Sequence, residues 1–200
     1  LVFIVFFNLC KIGAQEDLGI VDVIGTSPLP GILIDRKDVP HTSQKITETQ
    51  IQENLTKSIT DLMNENFSGI SVKDIQNGAF QKNVDYRGYT ASPLLGESQG
   101  ISVYLDGVRI NESFGDTVQW ELVPENAIKQ IDLMSSNPAF GLNALGGSLA
   151  LSTKKGLDFK NKEFVDTLNK YGSFNYTSEL MEYGYGTDTF GTYTSIELER

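Results

Sequence analysis

The chain of 200 residues is 40% hydrophobic and 10% aromatic, which is enough apolar material to bury a sizeable core. Its formal net charge of -10 argues against nucleic-acid binding, because phosphate binding needs a clustered excess of Lys and Arg. A single cysteine, Cys10, and a single histidine, His41, exclude a disulfide framework and a structural zinc site.

Residues 1–14 predict the end of a secretory signal peptide. The run 1–9 is apolar apart from Asn8 and is too short to cross a bilayer, and the small pair Gly13 and Ala14 precedes a polar stretch. We expect cleavage after Ala14. A buried strand or helix is the alternative interpretation of the same residues.

Residues 15–45 contain prolines, glycines and scattered charge without a sustained period of 2 or 3.6, which indicates a linker or mobile arm. A brief strand-like patch, Ile20–Ile24, lies inside this arm. An exposed strand invites pairing with another chain. The patch therefore predicts either strand addition to the sheet edge of a partner or a first edge strand of the following domain.

Residues 47–66 predict one amphipathic helix. Thr47 with Gln50 three residues later is typical of a capping box. Apolar residues recur at helical spacing on one face and are expected to pack into the core. These residues are Ile51, Leu55, Ile59, Leu62 and Met63.

The following residues predict several short strands and one more helix. The sequence "ISVYLDGVRI" (101–110) is typical of a hairpin, in which Asp106 and Gly107 supply the turn. A short helix is expected to begin near Pro124 and to run into a strand. The predicted strands outside the hairpin are 69–75, 84–90, 131–134 and 148–153. Two long irregular segments, 76–100 and 111–123, are predicted to be functional loops.

The C-terminal residues 159–200 are crowded with Tyr, Phe, Thr and Gly in stretches of about ten residues that Gly-Ser and Gly-Thr-Asp interrupt. This length and aromatic content are typical of membrane-spanning strands joined by turns. The alternation is imperfect, and both faces keep Glu or Asp, so an ordinary β-sheet is the alternative.

The sequence offers no catalytic constellation. "GESQG" (96–100) matches a nucleophile elbow, but a strand pattern rather than a helix follows Ser98, and His41 lies upstream instead of downstream. A polar loop is the better interpretation of this motif. A phosphate-binding glycine loop is also missing from the sequence. We therefore expect a protein that is not an enzyme and that holds no cofactor.

The order of three motifs carries a family resemblance. They are "YRGYTASPLLG" (86–96), "VYLDGVRINESFGD" (103–116) and "NPAFGLNALGGSLALSTKKG" (137–156). In this order the chain resembles the plug domain of a TonB-dependent outer-membrane receptor, followed by the first strands of its barrel. The resemblance implies an α+β plug, with a small mixed β-sheet and short helices, and then the first antiparallel strands of a transmembrane β-barrel.

The resemblance also implies a domain order and a function. The expected order is a signal peptide remnant (1–14), an arm with a TonB-box-like segment (15–45), a plug (46–156) and the start of a barrel (157–200). Such a receptor binds a scarce extracellular solute, for example an iron–siderophore complex, and imports it to the periplasm with energy from TonB. The implied partners are TonB with its inner-membrane energising complex, outer-membrane lipid and the small ligand. A secreted or periplasmic α+β binding or adhesion module is the alternative.

Several residues acquire expected roles from the resemblance alone. The expected ligand contacts are Arg87, Tyr89, Thr90, Asn111, Phe114, Gly115, Asp116, Trp120, Phe140 and Asn143. The expected TonB-box positions are Val21, Asp22, Val23, Ile24 and Gly25. In the family, glycines at the positions of Gly141, Gly146 and Gly147 allow positive φ and close approach to the barrel wall. Arg87 is expected to need an acidic partner in the barrel strands if it is buried, while Ser135 replaces a second arginine.

Overall fold

The computed structural model describes residues 23–25, 33–35, 42–75, 78–135, 138–141 and 143–200. The predicted signal segment 1–14 and the positions Val21, Asp22 and His41 lie outside the described residues. Within the described ranges, none of the helices has the length and apolar character needed to cross a bilayer.

Two helices and thirteen strands follow one another along the described chain. The strands before the first helix are β1 (Val23–Gly25), β2 (Leu33–Asp35) and β3 (Ser43–Ile46). The helices are α1 (Glu48–Gln52) and α2 (Ile59–Asn66). The middle strands are β4 (Ile70–Ile75), β5 (Gly78–Tyr86), β6 (Tyr89–Ala91), β7 (Ile101–Leu105), β8 (Val108–Arg109), β9 (Ile128–Met134) and β10 (Gly147–Thr153). The last strands are β11 (Lys162–Tyr171), β12 (Thr177–Gly186) and β13 (Gly191–Glu199).

These strands form four sheets. A mixed five-stranded sheet has the order β3-β9-β10-β7-β8, in which only the β10–β7 pair is parallel. A smaller sheet has the order β4-β5-β6, and β1 pairs with β2 in an antiparallel hairpin of its own. The C-terminal sheet consists of β11, β12 and β13 in antiparallel order. The α+β fold followed by antiparallel strands agrees with the sequence prediction.

The five-stranded sheet is buried on both faces. Along β10, Leu149 and Leu151 point into the main core with helix residues such as Met63, whereas Ala150 packs on the opposite face. This opposite face is covered by Phe140, which packs edge-on against Tyr104 with ring centres 5.4 Å apart. Because side chains alternate along a strand, one register serves both cores.

The single helix predicted for 47–66 is wrong, because two helices occupy this range. Ser58 adopts an extended backbone with ψ of 156°, and its hydroxyl accepts a hydrogen bond from the Asp61 amide, so it starts a new helix. Before it, the Asn54 side chain donates to the Gln50 carbonyl, a local hydrogen bond that competes with helix continuation. The predicted capping interaction at the first helix is present, since the Thr47 amide donates to Gln50 at 2.9 Å.

The apolar stripe of the helical region is confirmed except at one position. Ile51, Ile59, Leu62 and Met63 are buried, whereas Leu55 lies in the turn between the helices and is only half-buried. Breaking the helix therefore moves one predicted core residue to the edge of the core.

The continuous strand predicted for 84–90 is also wrong. β5 and β6 are joined by a two-residue turn in which Arg87 has φ of 53° and Gly88 has φ of 83°. Both residues are left-handed, which matches the twist of a tight hairpin. The segment 76–100, predicted to be irregular, consequently holds β5 and β6. The turn predicted at Asp106 and Gly107 is confirmed, with φ of 48° and 84°.

The helix predicted near Pro124 shrinks to a single 3-10 turn, Glu125–Ala127, and β9 already begins at Ile128. Ile128 and Ile131 are completely buried, and burial of β-branched residues in a sheet overrides weak helix propensity. The arm also ends earlier than predicted, because β3 already lies in the five-stranded sheet.

Each strand of the C-terminal sheet has nine or ten residues, as the spacing of turn residues predicted. Burial alternates strictly along β12, where Ser178, Leu180 and Glu182 are buried and Met181 and Tyr183 are exposed. One face is therefore solvent-exposed and carries apolar side chains together with Glu179, and the other turns towards the rest of the molecule.

Candidate functional site

The loop between β8 and the following 3-10 turn is held by the amide of Asn111. This side chain accepts a hydrogen bond from the Val103 amide at 2.7 Å and donates to the Ile101 carbonyl at 3.0 Å and to the Asp116 carbonyl at 3.3 Å. All its hydrogen-bonding capacity serves the backbone. Asn111, predicted to contact ligand, positions this loop.

Asp116 links this loop to the third motif. It has φ of 58°, and its carboxylate accepts hydrogen bonds from Arg109 at 2.5 Å and from the Asn143 side-chain amide. The structure thus brings two predicted ligand residues, Asp116 and Asn143, into contact. At the tip of the loop, Phe114 is 79% exposed and Gly115 has φ of 76°. We call residues 111–116 together with Phe140, Gly141 and Asn143 the apex.

Tyr89 is enclosed by glycines of two other motifs. A side chain at Gly146 would place its Cβ 2.6 Å from Tyr89, and a side chain at Gly100 would collide with the same ring. Gly147 has a similar constraint, because its Cβ would lie 2.9 Å from the Met134 carbonyl. The predicted close approach of these glycines is therefore to strands of their own domain and not to the C-terminal sheet. Gly141 has φ of 74°, the left-handed conformation predicted for this turn.

Three other predicted ligand residues are buried. Trp120 is 2% exposed, and its indole N–H donates to the Ala91 carbonyl at 2.9 Å. Phe140 is 1% exposed, and its carbonyl accepts a hydrogen bond from the Tyr104 hydroxyl. Thr90 is also buried, and its amide donates to the Ser98 carbonyl. Ligand contact at all these positions stays a prediction, and Phe114 offers the most accessible aromatic surface among them.

Arg87 is exposed in its turn, with its guanidinium 5.0 Å from the centre of the Tyr86 ring. Within the described ranges Arg87 makes no ion pair, so the expected acidic partner is not on the C-terminal sheet. Ser135, at the second arginine position, donates instead from its amide to the Thr42 carbonyl at 3.1 Å.

The C-terminal sheet is joined to the five-stranded sheet by a buried ion pair that sequence reasoning did not predict. Lys154, directly after β10, lies 3.0 and 2.9 Å from the two carboxylate oxygens of Glu182 on β12. The Tyr193 hydroxyl on β13 donates to the same carboxylate at 2.9 Å. Lys154 and Glu182 are 7% and 3% exposed. The signal was available, because Glu182 is a charge at an inward position of an alternating strand.

Further contacts join the five-stranded sheet and the C-terminal sheet beside Lys154 and Glu182. We call this contact region the seam. A Cβ on Gly156 would collide with the backbone of Gly191 and Thr192, so only glycine permits this approach. The side-chain amide of Asn126 donates to Glu197 on β13, and Lys129 pairs with Asp158 at 2.7 Å. The close approach of glycine to the C-terminal strands therefore occurs at Gly156 and not at the predicted positions.

A cleft of about 740 Å³ opens between α2 and the C-terminal sheet. Glu125 lies on its wall and accepts a hydrogen bond from the Ile59 amide at 3.1 Å. Burial raises the pKa of Glu125 to about 7, with the neighbouring carboxylates Glu197 and Glu199 acting in the same direction. The hydrogen bond from Ile59 and the charge of Lys170 oppose this shift.

Glu125→Gln is expected to remove a pH dependence of stability. The folded-state pKa is raised above the ordinary value of 4.5. The stability that protonated Glu125 contributes is therefore fully present below about pH 4.5 and is lost as the pH rises through 7. The shift corresponds to at most about 3 kcal/mol. The variant should match the wild type at pH 5 and exceed it at pH 8 in amide protection of α2. The exposed Glu121→Gln is the control, and an unchanged pH profile in Glu125→Gln would refute the assignment.

Comparison with known proteins identifies the class to which these features belong. The family model for the TonB-dependent receptor plug domain matches residues 35–148. This range is more than half of the chain, and the chain therefore belongs to that family. The matched family is a receptor domain rather than an enzyme, as the sequence predicted.

Solved structures agree with this fold. The chain resembles the pyoverdine outer membrane receptor FpvA from Pseudomonas aeruginosa PAO1 with a TM-score of 0.59 and 16% identity, over 82% of this chain and 22% of that one. It resembles the ferric citrate transporter FecA with a TM-score of 0.58 and 20% identity, over 83% and 26% of the two chains. The copper transporter OprC matches with a TM-score of 0.54 and 11% identity, over 71% and 21%. The chain thus spans about a quarter of the length of these receptors. No curated protein sequence matches it.

Proposed function

We propose that the chain is the plug and the beginning of the barrel wall of an outer-membrane receptor that binds a scarce extracellular solute and imports it with energy from TonB. In this proposal the plug comprises residues 46–156 together with the rest of β3, and the wall begins at residue 157. The solute is a small ligand such as an iron–siderophore complex. The known structures with this fold include receptors or transporters for pyoverdine, ferric citrate and copper.

The observation that carries the proposal is the seam around Lys154. A plug must be a separate folded unit that is nevertheless fixed to the wall, and the five-stranded sheet has its own core and a buried ion pair to Glu182. The exposed face of the C-terminal sheet adds to this, because it presents Val165, Met181 and Ile196 to the outside. Apolar side chains on the outer face of nine- or ten-residue strands suit contact with lipid.

The coupling segment in this proposal is β1. Val23, Ile24 and Gly25 form one strand of a two-stranded antiparallel hairpin with Leu33–Asp35. Each strand of such a hairpin has one neighbour, so β1 keeps an edge at which a strand of TonB can add main-chain hydrogen bonds. A two-stranded hairpin is only marginally stable in water, which suits a segment that must exchange partners. Val21 and Asp22, also proposed to contact TonB, lie outside the described residues.

The experiment that tests this function is growth of cells with and without the gene for the intact receptor on limiting iron chelates, copper, cobalamin or glycans. We expect the gene to permit growth at lower concentrations of one of these nutrients, and only in cells that contain TonB. Equal growth with and without the gene on every nutrient would contradict the proposed uptake.

Phe114→Ala is expected to weaken ligand binding without changing the stability of the plug. The ring is exposed at the apex, so its removal opens no cavity, whereas a bound ligand would lose an aromatic contact surface. Val108→Ala is the matched control, because Val108 is also exposed but lies in the hairpin at the opposite end of β7. Binding of the nutrient found in the growth test to whole cells is the measurement. Equal losses in both variants would contradict a ligand site at the apex.

A further inference from the structure

The surroundings of Lys154 are more elaborate than a simple ion pair requires. All three strands of the C-terminal sheet contribute one side chain to this site. Phe164 of β11 has its ring centre 6.0 Å from the ammonium group, Glu182 of β12 binds it with both oxygens, and the Tyr193 ring of β13 lies at 5.8 Å. Two aromatic rings and a carboxylate thus enclose a single cation, which satisfies its charge in a nearly dry site.

The backbone around this site is shaped to form it. Gly184 lies between Phe164 and Tyr193 in the strand register, and a Cβ at Gly184 would lie 2.7 Å from Phe159. Phe159 fills that space and stacks on Phe164 and Tyr193 with ring centres 5.1 and 6.1 Å apart. The missing side chain of Gly184 therefore lets an aromatic layer form beside the buried charge.

The position of Lys154 in the topology gives the site a mechanical meaning. It follows β10, a central strand with neighbours on both sides, and its amide donates to the Ala127 carbonyl at 2.8 Å. At one edge of the same sheet, two strands away from β10, β3 pairs only with β9 over four residues. A pull transmitted from β1 reaches the sheet through β3, so the weakly held edge lies nearest to the force and Lys154 lies farthest from it along the chain.

We propose that Lys154, Glu182, Tyr193 and Phe164 form an anchor that keeps the β10 end of the plug on the wall while TonB displaces the part near β3. The idea of displacement rests on the proposed function, whereas the anchoring of β10 does not. The anchor limits how far the plug can leave its seat. Lys154 acts here as a positioning residue, since it holds the end of a strand.

The first test measures amide hydrogen exchange of β10 in the purified intact receptor, without ligand or TonB. Lys154→Met leaves the buried Glu182 carboxylate without its cation, and Glu182→Gln leaves the buried Lys154 ammonium group without its carboxylate. We expect exchange in Gly147–Thr153 to become about 100-fold faster in Lys154→Met. The double variant Lys154→Met/Glu182→Met restores an uncharged packed site and should exchange more slowly than Lys154→Met. Lys57→Met, which breaks the exposed pair with Glu65 in the helical region, is the control and should leave β10 unchanged.

Wild-type exchange rates in Lys154→Met would overturn the anchor, and so would a double variant that exchanges as fast as Lys154→Met. This test needs no uptake, so the anchor can be judged even where the growth test fails. Receptor levels in the outer membrane, measured by immunoblot, identify variants that do not fold, and the double variant then still decides the outcome.

The second test addresses the limit on displacement of the plug. It uses vancomycin, an antibiotic that is too large to enter through a receptor whose plug is in place. Cells with Lys154→Met are expected to become at least about ten-fold more sensitive than wild-type cells when TonB is present, and to remain near wild type when TonB is absent. Dependence on TonB is the readout that a purely structural residue would not change. If Lys154→Met cells were equally sensitive to vancomycin with and without TonB, the proposed limit on displacement would be overturned. The same holds if these cells were no more sensitive than wild-type cells in either background.

Discussion

Ile24→Pro in β1 is expected to abolish uptake by the intact receptor while ligand binding to whole cells stays unchanged. Proline removes the main-chain N–H of this residue and fixes its φ, and β1 has only three residues in which to compensate. Coupling by strand addition depends on main-chain hydrogen bonds and hardly on side-chain identity. In the proposed function binding takes place at the apex, which contains no residue of β1.

The control for this prediction is Ile24→Val, which keeps a β-branched residue and every main-chain group and should import at the wild-type rate. The measurement is uptake of the nutrient identified by the growth test, together with its binding at 0 °C. Wild-type uptake by Ile24→Pro would show that energy reaches the plug through another segment. Loss of uptake in both variants would show recognition through the side chain instead.

Trp120→Ala is expected to destabilise the plug by about 3–5 kcal/mol, the range found for removal of large buried aromatic residues. The indole is 2% exposed in the main core and hydrogen-bonded to Ala91, so the variant loses burial and leaves a carbonyl without its donor. Amide exchange of β6 and β9 in the purified receptor measures this loss. Trp120→Phe keeps most of the buried ring and should lose clearly less.

This variant separates two roles for the same residue. The resemblance nominated Trp120 as a ligand contact, whereas its position in the structure predicts a large loss of stability. A Trp120→Ala receptor with wild-type amide protection and weakened binding would contradict the packing role. Protection lost together with binding would place the effect in the core.

Much of the fold follows from local sequence signals. The turn at Asp106 and Gly107 needs two left-handed residues, and the dipeptide specifies them without help from distant contacts. The ends of the C-terminal strands are marked in the same way by Gly-Ser and Gly-Thr-Asp. The stripe of Ile51, Ile59, Leu62 and Met63 is a helical period that survives the interruption of the helix.

The errors arise where a local signal competes with another contact. Ser58 restarts a helix because its hydroxyl caps Asp61, and helical spacing on both sides conceals the break. The start of β9 at Ile128 depends on pairing with β10, which is specified by residues more than twenty positions away. Burial of Trp120 and Phe140 has the same origin, since an aromatic residue in a loop looks identical in sequence whether it faces solvent or a core.

The seam could be inferred only in part. An inward Glu182 on an alternating strand calls for a cation, but nothing in the sequence decides between Lys154 and Arg87. The structure selects Lys154 because β10 ends beside β12, while Arg87 lies in an exposed turn. Likewise, glycines were expected at the contact between the two sheets, and Gly156 rather than Gly146 makes it.

The central claim, that the five-stranded sheet is a plug seated against the inner face of the C-terminal strands, is tested most directly by cross-linking in the outer membrane. Asn126 and Glu197, which are hydrogen-bonded across the seam, are replaced by cysteine in the intact receptor with Cys10 changed to serine. A short bifunctional thiol reagent should join the two residues, and mass spectrometry of outer-membrane fractions should detect the linked peptides. Absence of the link, or a chain found outside the outer membrane, would contradict the account.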